Sequence, residues 1–240
     1  MIPKKIHYFW FGGNEKPAKV KKCIDSWKKF CPDYEIFEWN EQNFDVNCMP
    51  YVKQAYMAKK YAFVSDVARL MMVYEHGGIY MDTDVEVIKP LDDLLEHTAY
   101  MSFENNENIN TGQGFGAQAG IEILKEHIDV YKNVQFINQD GTFNQTPCTK
   151  YTTELLLSKG LKLDGSKQIL NEITIYPEKY FNPLDSLTGR LKKTKDTYSI
   201  HWYAASWEDI SQIKLKINRV IRRIFGVKTV EKIKNIFNCK

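Results

Sequence analysis

The amino-acid sequence predicts an α/β domain, and three observations carry that expectation. The first 39 residues read strand, helix, strand. A helix with a clear 3.6-residue period over Ala62–His76 feeds a short apolar strand that ends in two aspartates. The composition, 43% hydrophobic and 13% aromatic over 240 residues, supplies an ordinary globular core. A chain this long buries roughly 70–75% of its unfolded surface, so it needs no disulfide to hold together.

Each element has a local reason. Ile2-Pro3-Lys4-Lys5-Ile6-His7-Tyr8-Phe9-Trp10-Phe11 is rich in strand formers and stops at Gly12-Gly13. A helix follows over Lys16–Phe30, then a strand over Tyr34–Trp39, which is how a nucleotide-binding α/β layout begins. In Ala62–His76 the residues Phe63, Val67, Leu70, Met71 and Tyr74 recur three and four apart, and Gly77 supplies the stop. Gly78–Met81 then runs as a buried strand into Asp82-Thr83-Asp84; Val85–Ile88 continues it and Pro90 ends it. Asn105–Gly120, rich in Asn and Gly, reads as loop. Ile121–Tyr131 and Thr152–Ser158 read as helices, and Thr197–Trp202 as a strand. There is no internal repeat and no low-complexity linker.

Charge and cysteine use exclude several classes. No apolar run approaches the ~20 residues of a membrane span, and Met1–Gly13 lacks the pattern of a signal peptide. Cys23, Cys31, Cys48, Cys148 and Cys239 are odd in number and form no C-x-x-C pair, so they read as reduced thiols of a cytoplasmic protein. The net charge is +3, but residues 208–240 carry nine Lys/Arg against three Asp/Glu. A mildly acidic body with a basic tail is not the profile of a nucleic-acid-binding domain, so no nucleic acid partner is expected.

The chemistry gathers around Asp82 and Asp84. About one Asp-x-Asp match is expected by chance in a chain with 14 aspartates, so the motif alone says little. Its setting says more, because period-two alternation in an extended segment places both carboxylates on one face. There they repel each other and lose hydration, unless a hard divalent cation, Mg²⁺ or Mn²⁺, joins them. The bland alternative is a solvated strand end. Upstream, Asp66 and Arg69 stand at i and i+3 on one helix face: a surface ion pair, or a guanidinium and a carboxylate that grip phosphate and sugar hydroxyls. Trp10 offers a flat face for a nucleobase, or is a core tryptophan.

The block Ala62-Phe63-Val64-Ser65-Asp66-Val67-Ala68-Arg69 through His76-Gly77-Gly78-Ile79-Tyr80-Met81-Asp82-Thr83-Asp84 resembles the DXD region of glycosyltransferase family 32. That family includes yeast OCH1-like mannosyltransferases and bacterial capsule and lipopolysaccharide sugar transferases. Ile2–Trp10 with Gly12-Gly13, Asn110–Ala117, and Ser199–Trp202 with Ser206-Trp207 fit it too, so the resemblance covers residues 2–207. It implies a single Rossmann-like domain of the GT-A fold over residues 1–207, a nucleotide-sugar donor, a Mn²⁺ or Mg²⁺ ion on the diphosphate, and transfer with retention. By the same resemblance Asp82 and Asp84 hold the metal and ribose side, Asp66 and Arg69 contact the donor sugar, Trp10 lies near the base, and His201 completes the metal or diphosphate site. Where many relatives carry a second His or a Gly, this chain has Trp202-Tyr203-Ala204-Ala205 before the Ser-Trp. Glu104 is a candidate group on the acceptor side.

The resulting expectation is a metal-dependent hexosyltransferase of bacterial surface polysaccharide synthesis, moving a sugar, a UDP-sugar first among candidates, to a glycan or lipid-linked glycan. Two rivals remain. An aspartyl-phosphate phosphatase also begins with a strand and Asp-x-Asp, but it needs a later acidic pair, and Asp92-Asp93 follows too soon. A non-catalytic sugar-binding module would bind without transferring. The tail, residues 208–240, is expected to form a basic amphipathic helical extension. Ile210, Ile213, Ile217, Val220, Ile221, Ile224 and Phe225 share one arc of a helical wheel, opposite Lys216, Arg219, Arg222 and Arg223, while Leu215 and Lys214 break the pattern. Val230, Ile233, Ile236 and Phe237 repeat the spacing beyond Gly226. Such a segment packs on the catalytic domain or lies peripherally on an anionic membrane, on the inner face for a cytoplasmic enzyme.

Overall fold

The structure, a computed structural model, describes residues 1–203 and 212–230. Ser206, Trp207, Ile210, Ile233, Ile236, Phe237, Cys239 and the 207/208 boundary lie outside the described residues, as do the side chains of Ile213 and Leu215. Within them the expected strand–helix–strand opening is present as β1 (Lys5–Phe9), α1 (Ala18–Phe30) and β2 (Glu35–Trp39), with β1 and β2 parallel. Then come α2 (Pro50–Met57), α3 (Tyr61–His76), β3 (Gly78–Tyr80), β4 (Val85–Val87), β5 (Ala99–Asn105), β6 (Asn108–Ile109) and β7 (Phe115–Ala117). The remaining elements are α4 (Glu122–Lys132), α5 (Cys148–Ser158), β8 (Gln168–Leu170), β9 (Ile173–Tyr176), β10 (Ser199–His201) and α6 (Gln212–Phe225).

The main sheet runs β2-β1-β3-β7-β5-β9-β8, with β6 beside β5; β1 is parallel to β2 and β3, and β7 is antiparallel to both its neighbours. The strand alternation of β1 sorts its side chains into two layers. Phe9 joins the core under α2 and α3, with Val64, Val67, Ala68 and Leu70; Ile6 and Tyr8 join the core under α1, with Trp27 and Leu94. This α/β fold with a mixed sheet is of the GT-A type.

Two sequence readings change. Asn105–Gly120 is not loop throughout: it contains β6 and β7, and β7 is fully buried between β3 and β5. Val85–Ile88 does not continue β3 but forms β4 in a second, two-stranded sheet with β10. Trp27, fully buried in α1, anchors that small sheet by donating its indole N–H to the Val85 carbonyl at 2.8 Å.

His7, 1% exposed in β1, is held in one tautomer. Its Nε2–H donates to the Gly77 carbonyl at 2.8 Å, while its Nδ1 accepts from the Trp39 indole at 3.1 Å. Burial pushes its pKa down to about 4, helped by His76 and Lys5 and opposed by the Gly77 carbonyl. The unfolded chain, with histidine at about 6.5, therefore binds a proton that the folded chain refuses between pH 6.5 and 4. Stability is complete above pH 6.5 and falls across that window, by up to about 3 kcal/mol from this residue. Thermal melts of native protein and His7→Gln from pH 7 to 4 check this: the variant should show the shallower slope, and parallel slopes would refute the assignment.

Candidate active site

The site lies at the C-terminal ends of β1 and β3, where open α/β sheets hold ligands. Past Tyr80 the chain turns at once: the Val85 N–H donates to the Asp82 carbonyl at 3.0 Å, closing a turn over Asp82-Thr83-Asp84-Val85. The two aspartates thus converge through a tight turn, not through alternation along an extended strand. The turn leads into β4, and its pairing with β10 sets His201 opposite Val85. The Trp202 N–H donates to the Asp84 carbonyl at 3.0 Å, and His201 Nε2 lies 3.2 Å from Asp84 Oδ1. Asp82, Asp84 and His201 offer ligand atoms all within 4.8 Å of one another. Two carboxylate oxygens and one imidazole nitrogen fit a divalent cation that retains open positions, as Mn²⁺ and Mg²⁺ do.

Helix α3 supplies the other half. Asp66 and Arg69 are buried and ion-paired with each other, so their i, i+3 spacing does not make a surface salt bridge. Arg69 Nε donates to the Ser65 carbonyl at 2.9 Å, its Nη2 lies 3.7 Å from Asp82 Oδ1, and its guanidinium sits 4.9 Å from the centre of the Tyr80 ring. Tyr80 in turn donates its hydroxyl to Asp82 Oδ1 at 2.6 Å. Arg69 Nη1 is buried and makes no hydrogen bond within the protein. A buried guanidinium nitrogen of this kind is left for a ligand.

The electrostatics match. Burial pushes the Asp66 carboxyl up to about 6 against the pull of Arg69, and neighbouring Asp82 adds to the rise. Burial works against a charged His201, but the Asp84 carboxylate beside it wins and holds the imidazole above its usual range. Asp66, Asp82 and Asp84 face one guanidinium and the His201 imidazole, an excess of negative charge in a half-buried site that a dication offsets.

Further residues complete the site. Gly112 is needed for close approach: a Cβ there would stand 2.2 Å from Asp82 Oδ2 and 2.8 Å from Arg69 Nη1. Its N–H donates to Asn110 Oδ1 at 2.6 Å, and Asn110 Nδ2 donates to Glu104 Oε1 at 3.1 Å. Glu104, at the end of β5, is also in reach of the Tyr203 hydroxyl, and its charge is felt at His201. Asn182 Nδ2 bridges the Glu104 carbonyl at 2.7 Å and the Tyr203 hydroxyl. Tyr203, in a left-handed conformation at φ +50°, lays its ring 4.2 Å from the His201 ring. The Cys148 thiol, at the start of α5, is within hydrogen-bonding reach of Asp66. Tyr80, the last residue of β3, stands two residues before Asp82 in the sequence block already singled out. Asn182, Tyr203 and Cys148 leave no local signal.

Trp10 has a different setting. It follows β1, accepts no role in the carboxylate network, and donates its indole N–H to the Asn14 carbonyl at 2.6 Å. Its half-exposed ring lines a pocket of about 200 Å³ with Gly13, Asn14, Lys16, Glu38, Asn40, Glu41 and Gln42. That pocket opens at the end of the strand adjacent to β3, in the same row of strand ends as Asp82.

Comparison with known proteins agrees with this geometry. Residues 17–101 match the family described as the glycosyltransferase sugar-binding region containing the DXD motif. Inositol phosphoceramide mannosyltransferase 3 of Schizosaccharomyces pombe is 35% identical over 123 residues, covering 48% of this chain and 33% of that enzyme. An uncharacterized glycosyltransferase, L373, of Acanthamoeba polyphaga mimivirus is 25% identical over 86% of this chain and 84% of its own. The chain thus spans a third of the yeast enzyme's length and most of the viral protein's. Among solved structures, the PaToxG glycosyltransferase superposes with a TM-score of 0.51 at 20% identity, over 66% of this chain and 70% of that one. A glycosyltransferase involved in glycosylation of the major capsid of PBCV-1 does so at 0.50 and 12% identity, over 89% and 98%. These two likenesses concern the fold.

Proposed function

The chain carries a glycosyltransferase sugar-binding region of the family 32 type, and on that premise we propose that it is a metal-dependent retaining hexosyltransferase. The observation that carries the reading is the convergence of Asp82, Asp84 and His201 beside a buried Arg69 whose Nη1 has no protein partner. The donor is a nucleotide-diphosphate sugar, a UDP-sugar first among candidates; the acceptor is a glycan or lipid-linked glycan, in bacterial surface polysaccharide synthesis. The yeast relative is named for mannosyl transfer to an inositol phosphoceramide, which supports a lipid-linked acceptor. Residues 1–207 form the catalytic domain and 208–240 an extension that works peripherally at an anionic membrane surface.

In the reaction the anomeric C–O bond to the diphosphate breaks, the diphosphate leaves with the electron pair, and the acceptor hydroxyl oxygen forms the new bond on the same face as its proton passes to the departing diphosphate oxygen, so the configuration is retained. Asp82, Asp84 and His201 would hold Mn²⁺ or Mg²⁺, which supplies Lewis-acid stabilisation where negative charge grows on the diphosphate. Tyr80 fixes the rotamer of Asp82 through its hydroxyl. Arg69 donates from Nη1 to the diphosphate or the sugar, and Asp66, held by Arg69, accepts from a sugar hydroxyl. Trp10 lines the nucleobase end. Glu104, braced by Asn110, faces the His201 side and is assigned to the acceptor.

A screen of UDP- and GDP-sugars by thermal shift and hydrolysis, with Mn²⁺, with Mg²⁺ and with EDTA, tests the reading. One donor should raise the melting temperature only with metal, because a ligand that binds the native state stabilises it by mass action. No metal-dependent shift with any nucleotide-sugar would overturn the proposal, and binding without turnover would favour a sugar-binding module. Gly112→Ala gives a local check. The new methyl group displaces Asp82 and Arg69, so turnover should fall at least about tenfold, ~1.4 kcal/mol. The melting temperature should drop by no more than about 5 °C, since the half-exposed Asp82 can swing outward. Undiminished turnover would mean that Asp82 does not act from its position against Gly112.

A further inference from the structure

Helix α6 is mounted inside out. On an amphipathic surface helix the apolar stripe faces the protein and the charges face water. Here Ile217, Val220, Ile221, Ile224 and Phe225 are all exposed, Ile224 by 68%. The arginines of the other side are turned toward the domain. Arg219 Nε donates to the Ser186 carbonyl at 3.1 Å and its Nη2 to the Tyr203 carbonyl at 3.5 Å; Arg223 donates to the carbonyls of Thr188 and Gly189 at 3.0–3.2 Å. At 100° per residue the five apolar side chains fill an arc of about 140° with Arg219 and Arg223 opposite.

A contiguous exposed apolar face marks a surface with a partner. From this mounting we infer that α6 lies in the interface of an anionic lipid bilayer, with its arginines acting as struts to the domain and not as lipid ligands. Charge selects a bilayer over a protein surface or water. Residues 212–230 contain six basic side chains and no acidic one. Lys214 is exposed inside the apolar arc, close to its Phe225 edge, and Lys216 is exposed beyond the opposite edge; from both places long side chains reach up to headgroups while the helix sinks into the acyl boundary. Lys228 is exposed just beyond Gly226.

The mounting also sets where the membrane lies. Through Arg219 the helix holds the carbonyl of Tyr203, whose ring lies against His201. The lipid surface is therefore next to the candidate active site, where a lipid-linked acceptor emerges. This deepens the proposed function and rests on it only for the purpose of docking; the docking itself is measurable without turnover.

The test is sedimentation of the full chain with vesicles of phosphatidylcholine, with and without phosphatidylglycerol. Binding is expected only with phosphatidylglycerol, weakening at high salt. The variant Ile217→Ser/Ile221→Ser/Ile224→Ser changes exposed positions only and should lose binding while keeping its far-ultraviolet circular dichroism and melting temperature. Lys214→Glu/Lys216→Glu should weaken binding at least about thirtyfold, about fivefold for each lysine removed. Asp84→Asn should bind vesicles like the native chain, which separates failure of this inference from failure of the enzymatic one. If the native protein stays in the supernatant at low salt, or the triple-serine variant binds undiminished, the inference is wrong. If light scattering shows a dimer that the triple-serine change dissociates, the apolar face meets a second copy of the chain and the inference is equally wrong.

Discussion

Asp84→Asn is expected to lower sugar transfer at least about a thousandfold, ~4 kcal/mol, with the fold intact. The substitution keeps the shape of a half-exposed side chain and removes one of the two negative charges in the Asp82–Val85 turn. Three consequences follow from the geometry. The cation loses a charged ligand of the Asp82, Asp84 and His201 group. His201 loses the carboxylate that holds its pKa up, so its affinity for a proton falls. The metal-free protein loses the repulsion between Asp82 and Asp84 but also the Asp84–His201 ion pair, two effects of opposite sign, so its melting temperature should change little. The measurements are turnover against Mn²⁺ concentration and melting curves with and without nucleotide-sugar. The diagnostic pattern is an unchanged melt without ligand and no metal-dependent donor shift. Wild-type turnover in this variant, or in the native enzyme with excess EDTA, would dismiss a metal role for the turn.

The elements legible in the sequence were those whose signals are local. α3 shows its period over four turns and ends at Gly77, and β1 lies within the run of strand formers Ile2–Phe11, ending at Phe9, three residues before the glycine pair. β7 was hidden for a physical reason. Gly116 reads as a loop residue, yet it sits in mid-strand because the ring of Tyr100 occupies the place of a side chain: a Cβ would come within 2.6 Å of it. The Asp82 and Asp84 pair, Asp66 and Arg69 were legible as residue types, but their geometry was not. Only the fold reveals that a turn, not an extended strand, brings the aspartates together, and that the Asp66–Arg69 pair is buried. Asn182 and Tyr203 reach Glu104 from distant loops, so no spacing could announce them. The amphipathic pattern of α6 was plain from its sequence, whereas the direction its apolar side faces depends on carbonyls at residues 186–189 and 203 that a helical wheel does not contain.

Arg69→Lys keeps the charge and is expected nevertheless to lower turnover about a hundredfold, ~2.7 kcal/mol. A guanidinium does several things here at once. Its Nε is anchored on the Ser65 carbonyl, its Nη2 serves Asp66 and faces Asp82, its flat side lies over Tyr80, and Nη1 remains for substrate. The ammonium of lysine is one nitrogen and can stand in only one of these places. If it pairs with Asp66, the substrate contact is lost; if it reaches toward the substrate, Asp66 is a buried carboxylate without its partner. In that second case the rise that burial already imposes on Asp66 grows, and stability falls. The two outcomes separate in the data: the first lowers kcat with an unchanged melt, the second lowers the melting temperature as well. Since charge builds on the diphosphate only as the bond breaks, the loss should fall mainly on kcat, with KM for the donor changing less. A lysine variant with native kcat would leave Arg69 as no more than the counter-charge of Asp66, and Nη1 without a ligand to serve.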